Sequence, residues 1–208
     1  MLVVHHLNNS RSQRILWLLE ELEVEYEIKR YDRNPETMLA PEALQKVHPL
    51  GKSPVITDDS LTLAESGAII EYLVERYGKG KLAPAPGTAQ WWRYTYWLHY
   101  AEGSAMPWLV MKLILDRFGL GDSDASTKLI APQIKLHLDY IESELGKSNW
   151  FVGDKFTAAD IAMSFPVEAA AARVSLDAPN LTNFLDRIHA RPAYKRALER
   201  GGAYELLK

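Results

Sequence analysis

Along the first eighty residues the apolar positions switch between two periods. Leu2 to Leu7 is a short run of β type, and Asn8-Asn9-Ser10 after it carries turn and helix-cap chemistry. Ile15, Leu18, Leu19 and Leu22 then recur at i, i+3, i+4 and i+7, which predicts a helix with one apolar stripe. Tyr26 to Lys29 alternates as a second strand does. Pro41 to Gln45 reads as a weak helix. Val55-Ile56-Thr57 and Leu61-Thr62-Leu63 flank the turn residues Asp58-Asp59-Ser60, a hairpin pattern. Ile70, Leu73, Val74 and Tyr77 restore the helical period. The predicted order is β-α-β-α-β-β-α, an α/β domain.

Breakers crowd the next stretch, with Gly78, Gly80, Pro84, Pro86 and Gly87. The reading that follows is a domain over 1–80, a linker over 81–87 and an all-helical domain over 88–208. Ile134, Leu138, Ile141 and Leu145 make one helical stripe; Leu181, Phe184, Leu185 and Ile188 make another. Thr157-Ala158-Ala159-Asp160 before Ile161 has the form of a capping box, with Asp in place of the usual Glu.

Composition then narrows the chemistry. Hydrophobic residues make up 47% and charged residues 25%, an ordinary globular balance. Lys plus Arg number 24 against 27 Asp plus Glu, a net charge of -3, which argues against a partner bound by neutralising phosphates. No apolar run approaches the roughly 18 residues of a membrane span. No charged n-region or long apolar stretch opens the chain, so a cytoplasmic protein without nucleic-acid or membrane partners is expected. The cysteine count is zero. That excludes disulfides, thiolate metal sites and a cysteine nucleophile, so any sulfur chemistry must use a thiol from a small molecule. His5 and His6 would face opposite sides of a strand, and no H-E-x-x-H occurs, so no metal is expected.

Several motifs fail on spacing. Gly51-Lys52-Ser53 resembles the end of a phosphate loop, but the position five before Gly51 is Lys46. Gly78-x-Gly80 lacks its third glycine, and neither Ser66 nor Ser104 sits in G-x-S-x-G. What survives is a constellation. Ser10 lies where the first strand meets the first helix. Ser53-Pro54, a candidate cis peptide, opens the third strand, and Glu65-Ser66 joins the last strand to its helix. Taken singly, Ser10 and Ser66 read as helix caps, Lys52 as a solvated lysine and Pro54 as a turn proline. Together they place polar groups and helix N-termini at one end of a sheet.

Three segments resemble the cytosolic glutathione S-transferase family. They are Ser10 with Arg14, the stretch from His48 through Gly51-Lys52-Ser53-Pro54 to Ile56, and Leu63-Ala64-Glu65-Ser66-Gly67-Ala68-Ile69. Trp150-Phe151-Val152-Gly153-Asp154-Lys155-Phe156-Thr157-Ala158-Ala159-Asp160 resembles that family's capping box in its helical domain. The likeness is nearest to bacterial and fungal members with a catalytic serine. It implies a thioredoxin-like first domain, an all-helical second domain and a homodimer. It further implies that glutathione is the co-substrate and that a small hydrophobic electrophile receives its thiolate, with peroxide reduction as a second activity.

By this resemblance Ser10 stabilises the thiolate, and the backbone of Ser53 before cis-type Pro54 pairs with the cysteinyl unit. Glu65 accepts the γ-glutamyl ammonium, Ser66 holds the γ-glutamyl carboxylate, and Lys52 faces the glycyl end. Tyr100, Gly103, Met106 and Trp108 would line a second-substrate pocket between the domains. Two positions depart from the pattern: His48 stands where asparagine is usual, and Gly67 where some relatives place arginine. The competing reading is a non-catalytic binding or interaction module on the same fold. The aromatic crowd Trp91, Trp92, Tyr94, Tyr96 and Trp97 is denser than one helix face can bury, which favours a partner copy.

Overall fold

The computed structural model describes residues 1–174 and 177–207. Strands β1 (Leu2–Leu7), β2 (Glu27–Tyr31), β3 (Val55–Asp58) and β4 (Leu61–Ala64) form one sheet in the order β2-β1-β3-β4. β1 pairs parallel with β2 across α1 (Ser12–Leu22), while β1–β3 and β3–β4 are antiparallel. The short α2 (Glu42–Gln45) precedes β3, and α3 (Ser66–Tyr77) follows β4. This is the predicted β-α-β-α-β-β-α order of a thioredoxin-like domain. The second strand sits slightly later than its alternation suggested.

Packing divides the chain into residues 1–83 with 189–208, and residues 84–188. The run of Gly and Pro alone places all of 88–208 in the helical domain. The last helix, α9 (Pro192–Gly201), instead packs on α1 in the first unit. Its small buried residues Ala193 and Ala197 allow the approach. A Cβ at Gly201 would stand 2.7 Å from Gln13 Oε1 and 2.9 Å from Leu16 Cδ1, so a larger residue there would have to displace these side-chain ends. Arg191 reaches Glu21 at 2.5 Å, and Arg196 and Arg200 each reach Glu20 at 2.8 Å. α1 is therefore buried on nearly every side. Ile15, Leu16, Trp17, Leu18 and Leu19 are inaccessible, and Trp17 meets Tyr194 edge to face.

The second unit is built of helices. α4 (Ala89–Tyr100) runs through a π-helical turn, Ala101–Ala105, into α5 (Met106–Arg117), with α6 (Ala131–Leu145), α7 (Ala158–Arg173) and most of α8 (Pro179–His189) around them. Thr88 caps α4 by accepting the Trp91 N–H at 3.2 Å. Trp97 centres the aromatic core, with ring centroids 4.6 Å from Phe151 and 5.7 Å from Tyr140. At the start of α7 the buried Asp160 carboxylate accepts three donors: Phe151 N–H at 2.8 Å, Thr157 N–H at 2.7 Å and the Thr157 hydroxyl at 3.1 Å. The predicted box is present, and it also anchors the preceding loop. Among the described residues no helix is long and apolar enough to cross a membrane.

Candidate active site

Strand register brings the candidate residues of the first unit together. His5 pairs with Val55, and Val55 with Ala64. The turn after β1, the entry to β3 and the exit from β4 consequently meet at one end of the sheet. Ser10 lies in the first, Ser53-Pro54 in the second and Glu65-Ser66 in the third.

Ser10 is buried, and its Oγ lies 2.8 Å from Ser12 Oγ and 3.5 Å from Ser53 Oγ. The Ser53 hydroxyl donates to the His5 carbonyl at 3.0 Å and accepts the Leu7 N–H at 3.4 Å, which ties the entry of β3 to β1. The Ser53–Pro54 peptide is cis. Lys52 is exposed beside it. Gly51 sets this approach: its φ is +57°, and a Cβ there would stand 2.6 Å from Gln45 Cγ.

Glu65 and Ser66 open α3 in contrasting ways. Glu65 is exposed and holds φ at 71°, an uncommon conformation for a residue with a side chain. Strain of this sort costs about 1–3 kcal/mol and concentrates at functional sites. Ser66 is buried, and its Oγ accepts from Arg14 Nη2 at 2.9 Å. With that lone pair engaged, the Ser66 proton remains to be donated. The first intrahelical bond runs from Ile69 N–H to the Glu65 carbonyl, so the N–H groups of Ser66, Gly67 and Ala68 receive no acceptor from the helix backbone. A carboxylate is what such a terminus attracts.

Two participants escaped the sequence reading. Arg14, in sequence only part of a motif, is a buried cation joining α1 to the start of α3. His6, which the sequence pattern only sets aside as a metal ligand, has its Nδ1 2.8 Å from Ser12 Oγ. Burial pulls its imidazole down to about 4, so the ring is neutral near pH 7. The signal available was Ser12-Gln13-Arg14, three polar residues in an apolar helix, since buried polar groups demand partners.

The residues expected to line the second-substrate pocket lie in the helical unit. Tyr100 and Met106 are buried there, Gly103 is exposed on the π-helical turn, and Trp108 is half-buried. The Tyr100 hydroxyl lies 2.6 Å from His137 Nδ1, and Trp108 stacks on the same imidazole at 6.5 Å. Among the described residues no group of three His, Asp or Glu side chains is placed to hold a metal ion.

Comparison with known proteins covers both units. Residues 1–75 match the family model for the glutathione S-transferase N-terminal domain, and residues 104–192 match that for the C-terminal domain. Glutathione S-transferase 3 of Schizosaccharomyces pombe is 39% identical, over 96% of this chain and 88% of its own. The crystal structure of a glutathione S-transferase from Actinobacillus pleuropneumoniae is 38% identical with a TM-score of 0.90, covering 99% of this chain and 94% of that one. A glutathione transferase from Phanerochaete chrysosporium, in complex with oxidized glutathione, is 25% identical with a TM-score of 0.82 and covers 96% of each chain. With both domains matched in order along nearly the whole chain, this protein belongs to the glutathione S-transferase family.

Proposed function

We propose that the first domain, 1–80, binds glutathione and that Ser10 stabilises its thiolate for attack on small hydrophobic electrophiles, with peroxide reduction as a second activity. The observation that carries this reading is the Ser10 hydroxyl at the start of α1, 3.5 Å from Ser53 at the meeting point of three chain segments. A free thiol has a pKa of about 8.5, and only the thiolate is a strong nucleophile. An O–H donor and the N-terminal end of a helix both favour the negative sulfur. Ser10 stabilises the nucleophile in this scheme and forms no bond to substrate carbon. Lys52 meets the glycyl end of glutathione, and Ser53 beside Pro54 offers its backbone to the cysteinyl unit as an added strand does.

The γ-glutamyl end goes to α3. Its ammonium meets the exposed Glu65 carboxylate, and its carboxylate meets the Ser66 hydroxyl and the free N–H groups behind it. Hydrogen bonds to charged groups are worth about 1.5–3 kcal/mol each, so Glu65→Ala and Ser66→Ala should each weaken glutathione binding roughly ten- to hundred-fold in calorimetry. Unchanged affinity in both variants would sink the assignment. The same site favours an enzyme over a non-catalytic module, because Ser10, Lys52, Glu65 and Ser66 are all in place. Turnover of a panel of electrophiles and hydroperoxides separates the two readings.

We place the second-substrate pocket at Tyr100, Gly103, Met106 and Trp108, the protein in the cytoplasm, and the functional unit in a homodimer. The aromatic crowd on α4 supports the last of these. Tyr94 and Trp97 are buried, whereas Trp92 and Tyr96, four residues apart on one helix face, remain 65% and 45% exposed. Sedimentation at micromolar concentration should give twice the mass of the chain. A monomer there would count against the dimer.

A further inference from the structure

Arg33 stands two residues beyond β2, beside the turn that leads into Ser10. β1 and β2 run parallel with Leu7 level with Tyr31, and the Asn8 N–H extends that ladder to the Tyr31 carbonyl at 3.2 Å. The register brings Arg33 against Asn8 and Asn9. Its backbone N–H donates to Asn8 Oδ1 at 3.0 Å. Its half-buried guanidinium donates to three carbonyls: Nε to Asn8 at 3.1 Å, Nη2 to Asn9 at 3.2 Å and Nη1 to Met38 at 2.9 Å. The groups themselves fix these directions, since a guanidinium only donates and a carbonyl only accepts. Asn9 holds φ at 50°, a left-handed bend that asparagine tolerates better than most residues. Ser10 follows that bend directly, and α1 starts two residues later. The arginine is itself held. Met38 N–H donates to the Asn34 carbonyl at 2.8 Å and Asn34 N–H to the Leu39 carbonyl at 2.9 Å, which closes the loop that supplies its third acceptor.

We infer that Arg33 is a positioning residue, which acts through the Asn8-Asn9 turn to hold the Ser10 hydroxyl where the thiolate forms. This rests on the reading of Ser10 as the donor to the glutathione thiolate. A hydrogen bond weakens steeply with distance and angle, so a donor on a loose turn stabilises the sulfur less. The planar fork of the guanidinium spans the carbonyls of two successive residues and fixes the bend between them. Lysine carries the same charge on a flexible stem and presents no such fork. Arg33 therefore works by geometry, and its charge alone does not replace it. From its other side the bend is held by the Glu205 N–H, which donates to Asn9 Oδ1 at 2.8 Å.

The test is a double-mutant cycle on the pH profile of turnover and on the ultraviolet absorbance of the bound thiolate. Arg33→Met should raise the thiol pKa and lower kcat at neutral pH by about three- to ten-fold, a part of the loss expected for Ser10→Ala, with KM for glutathione little changed. Arg33→Lys should do the same, and it serves in place of Arg33→Met if that variant folds poorly. In a Ser10→Ala background either substitution should change kcat and the thiolate fraction by less than about two-fold, since no hydroxyl is left to position. A wild-type profile in Arg33→Lys would show that the charge acts through space. Equal effects in both backgrounds would show that Arg33 does not act through Ser10. A raised KM with an unchanged thiol pKa would place it at the peptide, and a lowered melting temperature with an unchanged profile would make it a support of the fold alone. Each of these overturns the inference and leaves the Ser10 reading intact. A silent Ser10→Ala overturns both.

Discussion

Ser10→Ala should raise the pKa of the bound glutathione thiol and slow turnover at neutral pH by roughly ten- to hundred-fold. The size follows from losing one charge-assisted hydrogen bond of about 1.5–3 kcal/mol, expressed as thiolate population and barrier. The sign follows from which form the hydroxyl contacts. A donor bonded to the thiolate lowers the thiol's pKa, so its removal moves the rising limb of the pH–rate profile to higher pH. Mutant and wild type should therefore converge in alkali, where the thiol ionises unaided. Glutathione affinity should fall much less, because in the proposed site the charged ends of the peptide go to Lys52, Glu65 and Ser66. Thiolate absorbance against pH reads the shift directly. An equal pKa and an equal rate would hand the role to Asn8, Ser12 or a backbone N–H near Arg11. Of these, the Asn8 amide oxygen already accepts the Arg33 N–H at 3.0 Å.

The first unit was legible because its strands and helices obey period and turn chemistry locally. Where the reading stopped, the missing information was tertiary. The stripe Ile15, Leu18, Leu19, Leu22 marks the side of α1 that any amphipathic helix would bury. Leu16 and Trp17 are equally inaccessible because α9 covers the opposite side. Nothing local announces that cover, since α9 is rich in charge and its buried face consists of Ala193, Tyr194, Ala197 and Gly201.

The site divides along the same line. Ser10, Ser53 and Ser66 could be found because junctions between strands and helices are where backbone donors stay unpaired. The positive φ of Glu65 left no trace in its residue type. The bond from Arg14 to Ser66 and the His6–Ser12 contact join residues 52 and 6 positions apart, and each satisfies a polar group that burial would otherwise strand. The domain division illustrates the point once more. A cluster of Gly and Pro marks where a chain can turn, but only packing shows that residues 189–208 return to the first unit.

Asp160→Ala should lower the melting temperature by roughly 10 °C at pH 5 while leaving the turnover of the folded fraction unchanged. The carboxylate is fully buried and accepts Phe151 N–H, Thr157 N–H and the Thr157 hydroxyl. Truncation strands all three donors. Each buried unsatisfied group costs about 1–3 kcal/mol, and together, without full additivity, they come to about 3–5 kcal/mol. A chain of this length loses about 2–4 °C per kcal/mol. The pH dependence has a definite sign. Burial pushes the carboxyl up to about 7 against the pull of its hydrogen bonds, above its value in the unfolded chain. The folded state thus holds this proton more tightly, so the stabilisation is full in acid below the unfolded value and declines as pH rises through 7. The gap between wild type and Asp160→Ala should be wide at pH 5 and narrower at pH 8. Asp160→Asn, which keeps one carbonyl acceptor and no titration, should fall between them at pH 5, with a gap to Asp160→Ala that is nearly independent of pH. Lost turnover at an unchanged melting temperature would place Asp160 in the chemistry and overturn its role as the anchor of α7.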